Sequence, residues 1–238
     1  MADSLRIAAA GDIHCSEPLR ARIGQAFGEL PGKADLVLLA GDLTTHGEPE
    51  QAAVLADAVR GLGLPVVAVL GNHDHHANRC DELVDVLRDA GVRLLSRDFV
   101  VLDVDGTDVG IVGTKGFVGG FPGAELPDFG EPLLREVYKE TTRDVDAIEA
   151  GLEAIAGCHH RIVLLHYAPV PETLVGEPET IWAFLGSSRL AAPIGAHRPD
   201  LVLHGHAHRG TFAGAIGGVP VHNVAVHVTG REFAFFEL

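Results

Sequence analysis

Residues 70–76 read LGNHDHH and place three histidines, one aspartate and one asparagine in five consecutive positions. The stretch is too polar for a core strand and too rich in histidine for an ordinary surface loop. Imidazole, carboxylate and carboxamide groups bind metal ions, and the first two also transfer protons. The stretch therefore predicts a loop that binds metal or transfers protons, together with side chains from other parts of the fold.

Side chains of the same kinds follow four other short apolar runs of the sequence. The polar groups behind the five runs are Asp12, His14, Asp42, Asn72, His73, Asp74, His166, His204, His206 and His208. Mixed carboxylate and imidazole ligands suit Mn, Fe, Zn, Co or Ni better than Ca, which prefers oxygen ligands alone. The groups are too many for one ion, and a carboxylate has two oxygens with which to bridge a pair. The residue types thus favour a site of two transition-metal ions.

The five apolar runs are predicted to be buried parallel strands, because each is short and rich in Val, Leu, Ile or Ala. They are Leu5–Ala10, Leu36–Ala40, Val66–Leu70, Ile162–Leu165 and Leu201–Leu203. Apolar residues recur at helical spacing over residues 17–30, 48–62, 80–90 and 143–156. Alternating strands and helices indicate βαβ units, in which ligands bind beyond the carboxyl ends of the strands. We therefore expect the polar groups to converge at that edge.

Other segments predict antiparallel strands in a mixed architecture. Phe99–Val104 and Thr107–Val112 flank Asp105-Gly106, which is a two-residue hairpin signal. Residues 211–238 again resemble strands, with Gly217-Gly218 as a turn. Both parallel and antiparallel pairs are thus expected in this α/β chain.

Residues 115–134 differ from the rest, with five glycines, three prolines and three phenylalanines. A long irregular segment within a domain is usually functional or disordered, and the phenylalanines favour a lid that packs on something. We expect one domain over residues 1–238 with a lid or cap insertion at about 115–145. Lys115, at its start, either closes over an anionic substrate or is solvated.

The ordered set of motifs resembles the calcineurin-like metallophosphoesterases, in particular bacterial phosphodiesterase- or phosphatase-like members. The motifs are Asp12-Ile13-His14, Gly41-Asp42, Gly71-Asn72-His73-Asp74, His166 and Gly205-His206-Ala207-His208, and the resemblance runs from residue 5 to about 210. It implies a four-layer α/β/β/α sandwich of two mixed sheets flanked by helices, with the metal site at the carboxyl ends of the strands. Each single motif is common, but five together, each behind a strand, are specific.

The resemblance also implies a role for each motif residue. Asp12, His14 and His208 would bind one ion, Asn72, His166 and His206 would bind the other, and Asp42 would bridge both. His73 would face the substrate as a catalytic residue, and Asp74 would hold its ring. The ions would be divalent or trivalent, with Mn, Fe and Zn the first candidates.

The reaction expected from such a centre is hydrolysis of a small phosphodiester or phosphomonoester. Two ions clamp a phosphoryl group and lower the pKa of the water between them, and the hydroxide attacks phosphorus in line with the leaving group. A protonated His73 would assist the leaving group, a contribution of about 10²–10⁴-fold. The alternatives are a non-catalytic scaffold of the same fold and a nuclease.

Several residues have no role fixed by the motifs. His46 occupies the place of the phosphate-binding arginine in the GDxVDRG stretch of the family's Ser/Thr protein phosphatases, and Thr45 that of the aspartate. Leu70 precedes Gly71 where those enzymes have RGNHE, so that branch is disfavoured. His46 either bonds a phosphate oxygen or is exposed. His75 and His76 are either solvent-facing or pocket-lining, and for His204 we favour a supporting role over that of a third ligand.

Composition limits the partners and the compartment. The net charge of −15 without a basic stripe makes long nucleic acid a poor partner. Three cysteines without CxxC spacing favour a reducing compartment, and no run reaches the ~18–20 apolar residues of a membrane span. The N-terminus lacks the basic start of a secretory signal. We expect a cytoplasmic protein with a small phosphate ester as its substrate, while its oligomeric state is open.

Overall fold

The computed structural model of the chain, which describes residues 4–238, contains two β-sheets. In chain order the strands are β1 (Arg6–Ala10), β2 (Leu36–Ala40), β3 (Val66–Val69), β4 (Val92–Leu95), β5 (Asp98–Val104), β6 (Thr107–Gly113), β7 (His160–Leu164), β8 (Leu201–His204), β9 (Ala213–Ile216), β10 (Val219–Asn223) and β11 (Ala234–Glu237). The first sheet has the order β11-β1-β2-β3-β4, and the second has the order β5-β6-β7-β8-β10-β9.

Both sheets are mixed. Strands β1 to β4 are parallel, and β11 pairs antiparallel with β1 at the edge. In the second sheet β6, β7, β8 and β10 are parallel, whereas β5 and β9 pair antiparallel at the two edges. The five predicted parallel strands and the hairpin around Asp105-Gly106 are confirmed, as is the turn at Gly217-Gly218.

Helices cover the outer faces of the sheets. They are α1 (Arg20–Gly28), α2 (Pro49–Val59), α3 (Cys80–Asp89), α4 (Pro132–Ala154), α5 (Trp182–Leu185), α6 (Ala191–His197) and α7 (Val226–Thr229). Within the described residues, 3₁₀ turns also occur at Glu17–Leu19, His73–His75, Pro171–Leu174, Glu179–Ile181 and Ser188–Leu190. None of the helices within residues 4–238 has the length and apolar character needed to cross a bilayer.

The layer order follows from the alternation of side chains along each strand. In β2, Leu38 packs into the core between the sheets, whereas its neighbour Leu39 packs into the core that contains Phe27 of α1 and Leu55 of α2. A third core joins the outer face of the second sheet to α4 and α6. The expected four-layer α/β/β/α sandwich is confirmed.

Some element bounds differ from the sequence expectation. The helix predicted over residues 143–156 begins earlier, at Pro132. Proline is favourable at the first position of a helix, so Pro132 does not oppose this start. Residues 114–131 contain neither a helix nor a strand of a sheet. Strand β4 and helix α6 were not predicted, because β4 is only four residues long and α6 contains Pro193 and Gly195.

Candidate metal centre

One group of candidate metal-binding side chains forms where the loops after β1, β2 and β8 meet. Asp12, His14, Asp42 and His208 each offer a donor atom, and these atoms all lie within 4.8 Å of one another. Nε2 of His208 lies 2.9 Å from Oδ1 of Asp12, and both carboxylates are buried. Three separate strands thus contribute to one cluster.

A second group lies beside the first and shares one residue with it. Asp42, His166 and His206 offer donor atoms that satisfy the same 4.8 Å limit. Oδ1 of Asn72 lies 2.9 Å from Nε2 of His166, so the loop after β3 also reaches this group. The structure therefore brings all seven residues expected to bind metal to one edge of the two sheets, with Asp42 in both groups.

The backbone bends sharply at four of these residues. Asp12, His14, Asp42 and His206 have φ values of 57°, 49°, 50° and 71°, in the left-handed region that only a few per cent of non-glycine residues adopt. Such conformations persist where the surrounding structure enforces them, and they concentrate at functional sites. The strain arises because the backbone turns abruptly in the loops that follow the strands.

Glycines allow the loops to approach closely. A Cβ atom added at Gly71 would collide with the side chain and backbone of Asp42, and one added at Gly205 would collide with the Asp12 carboxylate. Gly41 has a φ of 81°, and a Cβ atom there would collide with the ring of His166. These glycines are the reason why the two groups of side chains can share Asp42.

The His166 ring has a defined tautomer that leaves a nitrogen lone pair in the site. Nδ1 lies 2.9 Å from the carbonyl oxygen of Ala40, so this nitrogen must be the donor. Burial holds the pKa of His166 well below its usual value, which keeps the ring neutral. The Nε2 lone pair then lies 3.3 Å from Oδ1 of Asp42 and 2.9 Å from Oδ1 of Asn72. These electron-rich atoms face one another, and a cation between them would satisfy all of them.

The two central carboxylates are also in an environment that favours a cation. Burial, together with the charge of Asp12, raises the pKa of Asp42 to about 9. Burial alone would raise the pKa of Asp12 as well, but the hydrogen bonds from His208 and from the backbone N–H of His206 lower it below its usual value. Two buried carboxylates this close repel each other unless positive charge lies between them.

His14 provides a further observation of the same kind. Burial lowers the pKa of His14 to about 4, so the ring is neutral. Its Nδ1 is buried without a hydrogen-bond partner among residues 4–238. Its Nε2 lies 3.9 Å from Oδ2 of Asp42, so a neutral imidazole nitrogen faces the buried carboxylates. The side chains therefore fit a pair of transition-metal ions.

His73 lies at the margin of the two groups and is oriented by a backbone contact. Its Nδ1 lies 2.9 Å from the carbonyl oxygen of Thr45 and donates to it. Its Nε2 lies 3.8 Å from Oδ2 of Asp42, and its ring centroid lies 4.6 Å from that of His14. The ring is half-buried, with one nitrogen fixed and the other directed at the centre.

The expectation that Asp74 holds the His73 ring is wrong. Oδ1 of Asp74 accepts hydrogen bonds from the backbone N–H and hydroxyl of Thr44, at 2.8 and 2.7 Å. Oδ2 accepts from the N–H groups of Leu43 and Gly71, at 3.1 and 2.8 Å. The buried carboxylate thus joins the loop that carries Asp42 to the loop that carries Asn72, and it has no oxygen left for the ring.

A comparison with protein families identifies the chain. The family model for calcineurin-like phosphoesterases matches residues 5–210. The chain belongs to the calcineurin-like phosphoesterase family. The family resemblance seen in the motifs is confirmed. The chain spans about a fifth of the length of the curated relative that it matches.

The individual relatives match over a short segment or at low sequence identity. A protein of Synechococcus sp. named a probable cyclic nucleotide phosphodiesterase is 44% identical over 54 residues, which are 22% of this chain and 21% of that protein. The solved structure of a phosphopantetheinyl hydrolase from Mycobacterium tuberculosis is similar over 95% of this chain and 90% of that one, with a TM-score of 0.66 and 17% identity. Purple acid phosphatase PPD1 from yellow lupin is similar over 94% of this chain and 44% of that one, with a TM-score of 0.53 and 14% identity. The two structures support the fold.

The remaining histidines of this phosphoesterase have separate environments. The His76 ring lies 4.4 Å from that of His73, and Nδ1 of His75 lies 3.0 Å from Sγ of Cys80. His204 is buried at the end of β8, where Nε2 lies 2.9 Å from the hydroxyl of Thr173. His46 is exposed. Thus His76 adjoins the centre, whereas His204 and His75 bond to residues outside it.

One neighbour of the centre carried little signal in the sequence. The His227 ring stacks on that of His208, with centroids 4.3 Å apart and an angle of 11° between the planes. A cavity of about 270 Å³ lies between α1 and α7 and is lined by Asp12, His14, Arg22 and His227 among others. His227 comes from α7 in a segment expected to form strands, so only the tertiary structure reveals its position.

Proposed function

We propose that the chain hydrolyses a small phosphodiester or phosphomonoester at a centre of two metal ions. The observation that carries this proposal is that two groups of donor atoms share Asp42, with Nε2 of His73 beside them. Family membership supports phosphoester hydrolysis in general. The division of roles among the residues is our proposal.

In this proposal Asp12, His14 and His208 hold one ion. Asn72, His166 and His206 would hold the other, and Asp42 would contribute to both sites. When bound, the pair supplies positive charge for the phosphoryl oxygens and activates water for attack on phosphorus. Mn, Fe and Zn all suit imidazole, carboxylate and amide donors.

His73 assists the leaving group in this scheme. The Thr45 carbonyl fixes Nδ1 as the donor nitrogen, so a second proton would reside on Nε2, which faces Asp42. From Nε2 that proton passes to the leaving oxygen as its bond to phosphorus breaks. General acid catalysis of this kind contributes about 10²–10⁴-fold.

The net charge of the protein and a partial match to one relative narrow the class of substrate. The protein carries a net charge of −15, which disfavours long polyanions. The partial match to a protein named a probable cyclic nucleotide phosphodiesterase makes cyclic phosphodiesters the first compounds to test. Three free cysteines, one of them buried, support a reducing compartment such as the cytoplasm.

An activity screen tests the proposal. Purified protein is stripped of metal, reloaded with Mn, Fe, Co, Ni or Zn, and assayed on aryl phosphodiesters, aryl phosphomonoesters and cyclic nucleotides. We expect about two ions per chain and turnover with at least one metal. Asp42→Asn and Asn72→Ala are expected to lose activity by orders of magnitude. Metal binding without turnover of any ester would favour a non-catalytic scaffold instead.

A further inference from the structure

Lys115 lies at the edge of the sandwich where the candidate metal ligands lie. It lies two residues after the end of β6. Strand β6 is parallel to its neighbour β7, and His166 lies two residues after the end of β7. The carbonyl oxygen of Lys115 accepts hydrogen bonds from the backbone N–H groups of His166 and Tyr167, both at 3.0 Å. The backbone at Lys115 is therefore fixed directly to the segment that carries a candidate metal ligand.

The side chain of Lys115 lies against two aromatic rings. Its Nζ is 4.3 Å from the ring centroid of Phe117 and 4.9 Å from that of Tyr167. The Tyr167 ring in turn lies 4.4 Å from the ring of His206. The aromatic faces attract the cation, and the Tyr167 ring lies between it and His206 of the second group.

Lys115 differs from the other lysines of the chain. There are three lysines, and Lys33 and Lys139 are exposed and paired with glutamates at 3.4 and 2.8 Å. Lys115 is half-buried, and no carboxylate oxygen of residues 4–238 lies within 4.0 Å of its Nζ. Its ammonium donates one hydrogen bond, to the carbonyl oxygen of Gly116 at 3.1 Å. A partly buried cation with two free donors is well suited to bind an anion.

The carboxylates nearest to this cation are occupied by other groups. Oδ1 of Asp144 accepts from Arg97 at 2.8 Å and from the hydroxyl of Thr114 at 2.6 Å. Glu140 bonds to Arg97 and Arg143. Burial lowers the pKa of Lys115, and the charges of Asp144, Glu140 and, more weakly, Asp42 oppose that effect. Oδ2 of Asp144 is buried without a hydrogen-bond partner among residues 4–238, but neither it nor any other carboxylate oxygen of these residues lies within 4.0 Å of Nζ. The free donors of Lys115 thus have no bonded carboxylate in the folded chain.

We propose that Lys115 binds a non-bridging oxygen of the substrate's phosphoryl group and thereby extends the anion-binding surface of the metal centre. The inference rests on the proposed function, because it takes a phosphate ester as the substrate. It makes Lys115 a substrate-binding residue outside the motif set. The ligand class is a phosphoryl or similar oxyanion that contacts the metal centre at the same time.

Direct binding of inorganic phosphate tests the proposal without turnover. Isothermal titration of phosphate into the metal-loaded protein is compared for the wild type, Lys115→Met and Lys139→Met. A hydrogen bond between charged partners corresponds to about 10–100-fold in affinity. We expect Lys115→Met to weaken phosphate binding at least about 10-fold, whereas Lys139→Met, which removes an exposed lysine, binds like the wild type. Lys115→Arg, which keeps the charge, should lose less than Lys115→Met.

Kinetics with an aryl phosphate ester provide the second readout. Lys115→Met is expected to raise KM more than it lowers kcat, with metal content and thermal midpoint unchanged. Lys115→Gln serves the same purpose if the methionine variant does not fold. A folded Lys115 variant without the cation that binds phosphate as tightly as the wild type would overturn the proposal. A wild-type protein that binds metal and phosphate but hydrolyses no ester would instead overturn the proposed function, and the titration would still decide the role of Lys115.

Discussion

At the scale of single residues, His73 is the group whose geometry has the most direct chemical consequence. Nδ1 is fixed by the Thr45 carbonyl, and Nε2 faces Asp42. We predict that His73→Gln lowers kcat/KM by about 10²–10⁴-fold for an ester with an alkyl leaving group, which needs a proton. The loss should be much smaller for a p-nitrophenyl ester, because p-nitrophenolate leaves readily without one. Parallel steady-state assays of both esters measure the difference.

The neighbouring histidine is the matched control for that experiment. His75→Gln changes an exposed ring that contacts Cys80, so both esters should be hydrolysed near the wild-type rate. An equal loss for both leaving groups in His73→Gln would contradict proton donation. It would leave His73 a role in binding only.

Asp74 is predicted to act through stability and loop position. In Asp74→Asn the amide nitrogen would face at least one backbone N–H donor, because Oδ2 accepts from two N–H groups and Oδ1 from one N–H group and one hydroxyl. Each buried donor left without an acceptor costs about 1–3 kcal/mol. We expect the free energy of unfolding to fall by about 2 kcal/mol or more in urea titrations, with weaker metal binding. Asp146→Asn, an exposed change of the same type on α4, should have almost no effect, and equal stabilities would contradict the assigned role of Asp74.

The residue types at the strand ends were sufficient to predict which side chains meet. Carboxylates and imidazoles directly behind buried strands predicted a site of two metal ions, and the resemblance to the phosphoesterase family then singled out seven candidate ligands. The direction of a side chain was not predictable in the same way. The oxygens of Asp74 bond to Thr44 and Leu43, about 30 positions earlier in the chain, and adjacency to His73 does not reveal this.

At the scale of elements, the sharp turns at the strand ends set the distances in the centre. Gly71 follows β3, and a Cβ atom there would collide with the backbone N and the carboxylate of Asp42. Backbone atoms cannot move aside as a flexible side chain can, so Gly71→Ala should push the two loops apart. We expect loss of the metal ion assigned to Asn72, His166 and His206, together with loss of activity. Elemental analysis measures the metal content.

The control for this change is a glycine with space around it. Gly24 lies on the exposed face of α1, and a Cβ atom there meets nothing within 4 Å. Gly24→Ala should raise stability by about 0.5–1 kcal/mol, because alanine favours a helix over glycine. Full metal content in Gly71→Ala would show that the loops do not depend on this close approach.

The elements were predictable where burial on both faces produced a continuous apolar run. Strand β2 was predicted at its observed bounds because all five of its residues are buried. Helix α6 was not predicted, because Pro193 and Gly195 disfavour helices in isolation, and packing of Ile194 into the third core stabilises it. Tertiary packing overrode local propensity there.

At the scale of the whole molecule, charge is expected to exclude polymeric substrates. A net charge of −15 repels polyanions over the Debye length, and binding of DNA or RNA needs several phosphate contacts to offset this. We predict no shift of single- or double-stranded nucleic acid in gels at physiological salt, and no cleavage at rates comparable with small esters. Cleavage of a long strand as fast as of an aryl diester would instead favour a nuclease.

Metal removal should destabilise the entire sandwich, because the centre joins loops from both sheets. Asp12 and Asp42 are almost fully buried and lie in one cluster with His14 and His208, so their two negative charges are unfavourable together unless a cation is bound. Ions at 100 times their dissociation constant stabilise the folded state by about 2.7 kcal/mol. For a chain of this size that corresponds to a thermal midpoint about 5–10 °C higher than after chelation. Differential scanning calorimetry of stripped and reloaded protein measures the shift. Asp42→Asn should show a smaller shift, because the shared carboxylate is lost, and an unchanged midpoint in the wild type would contradict a metal centre that links the two sheets.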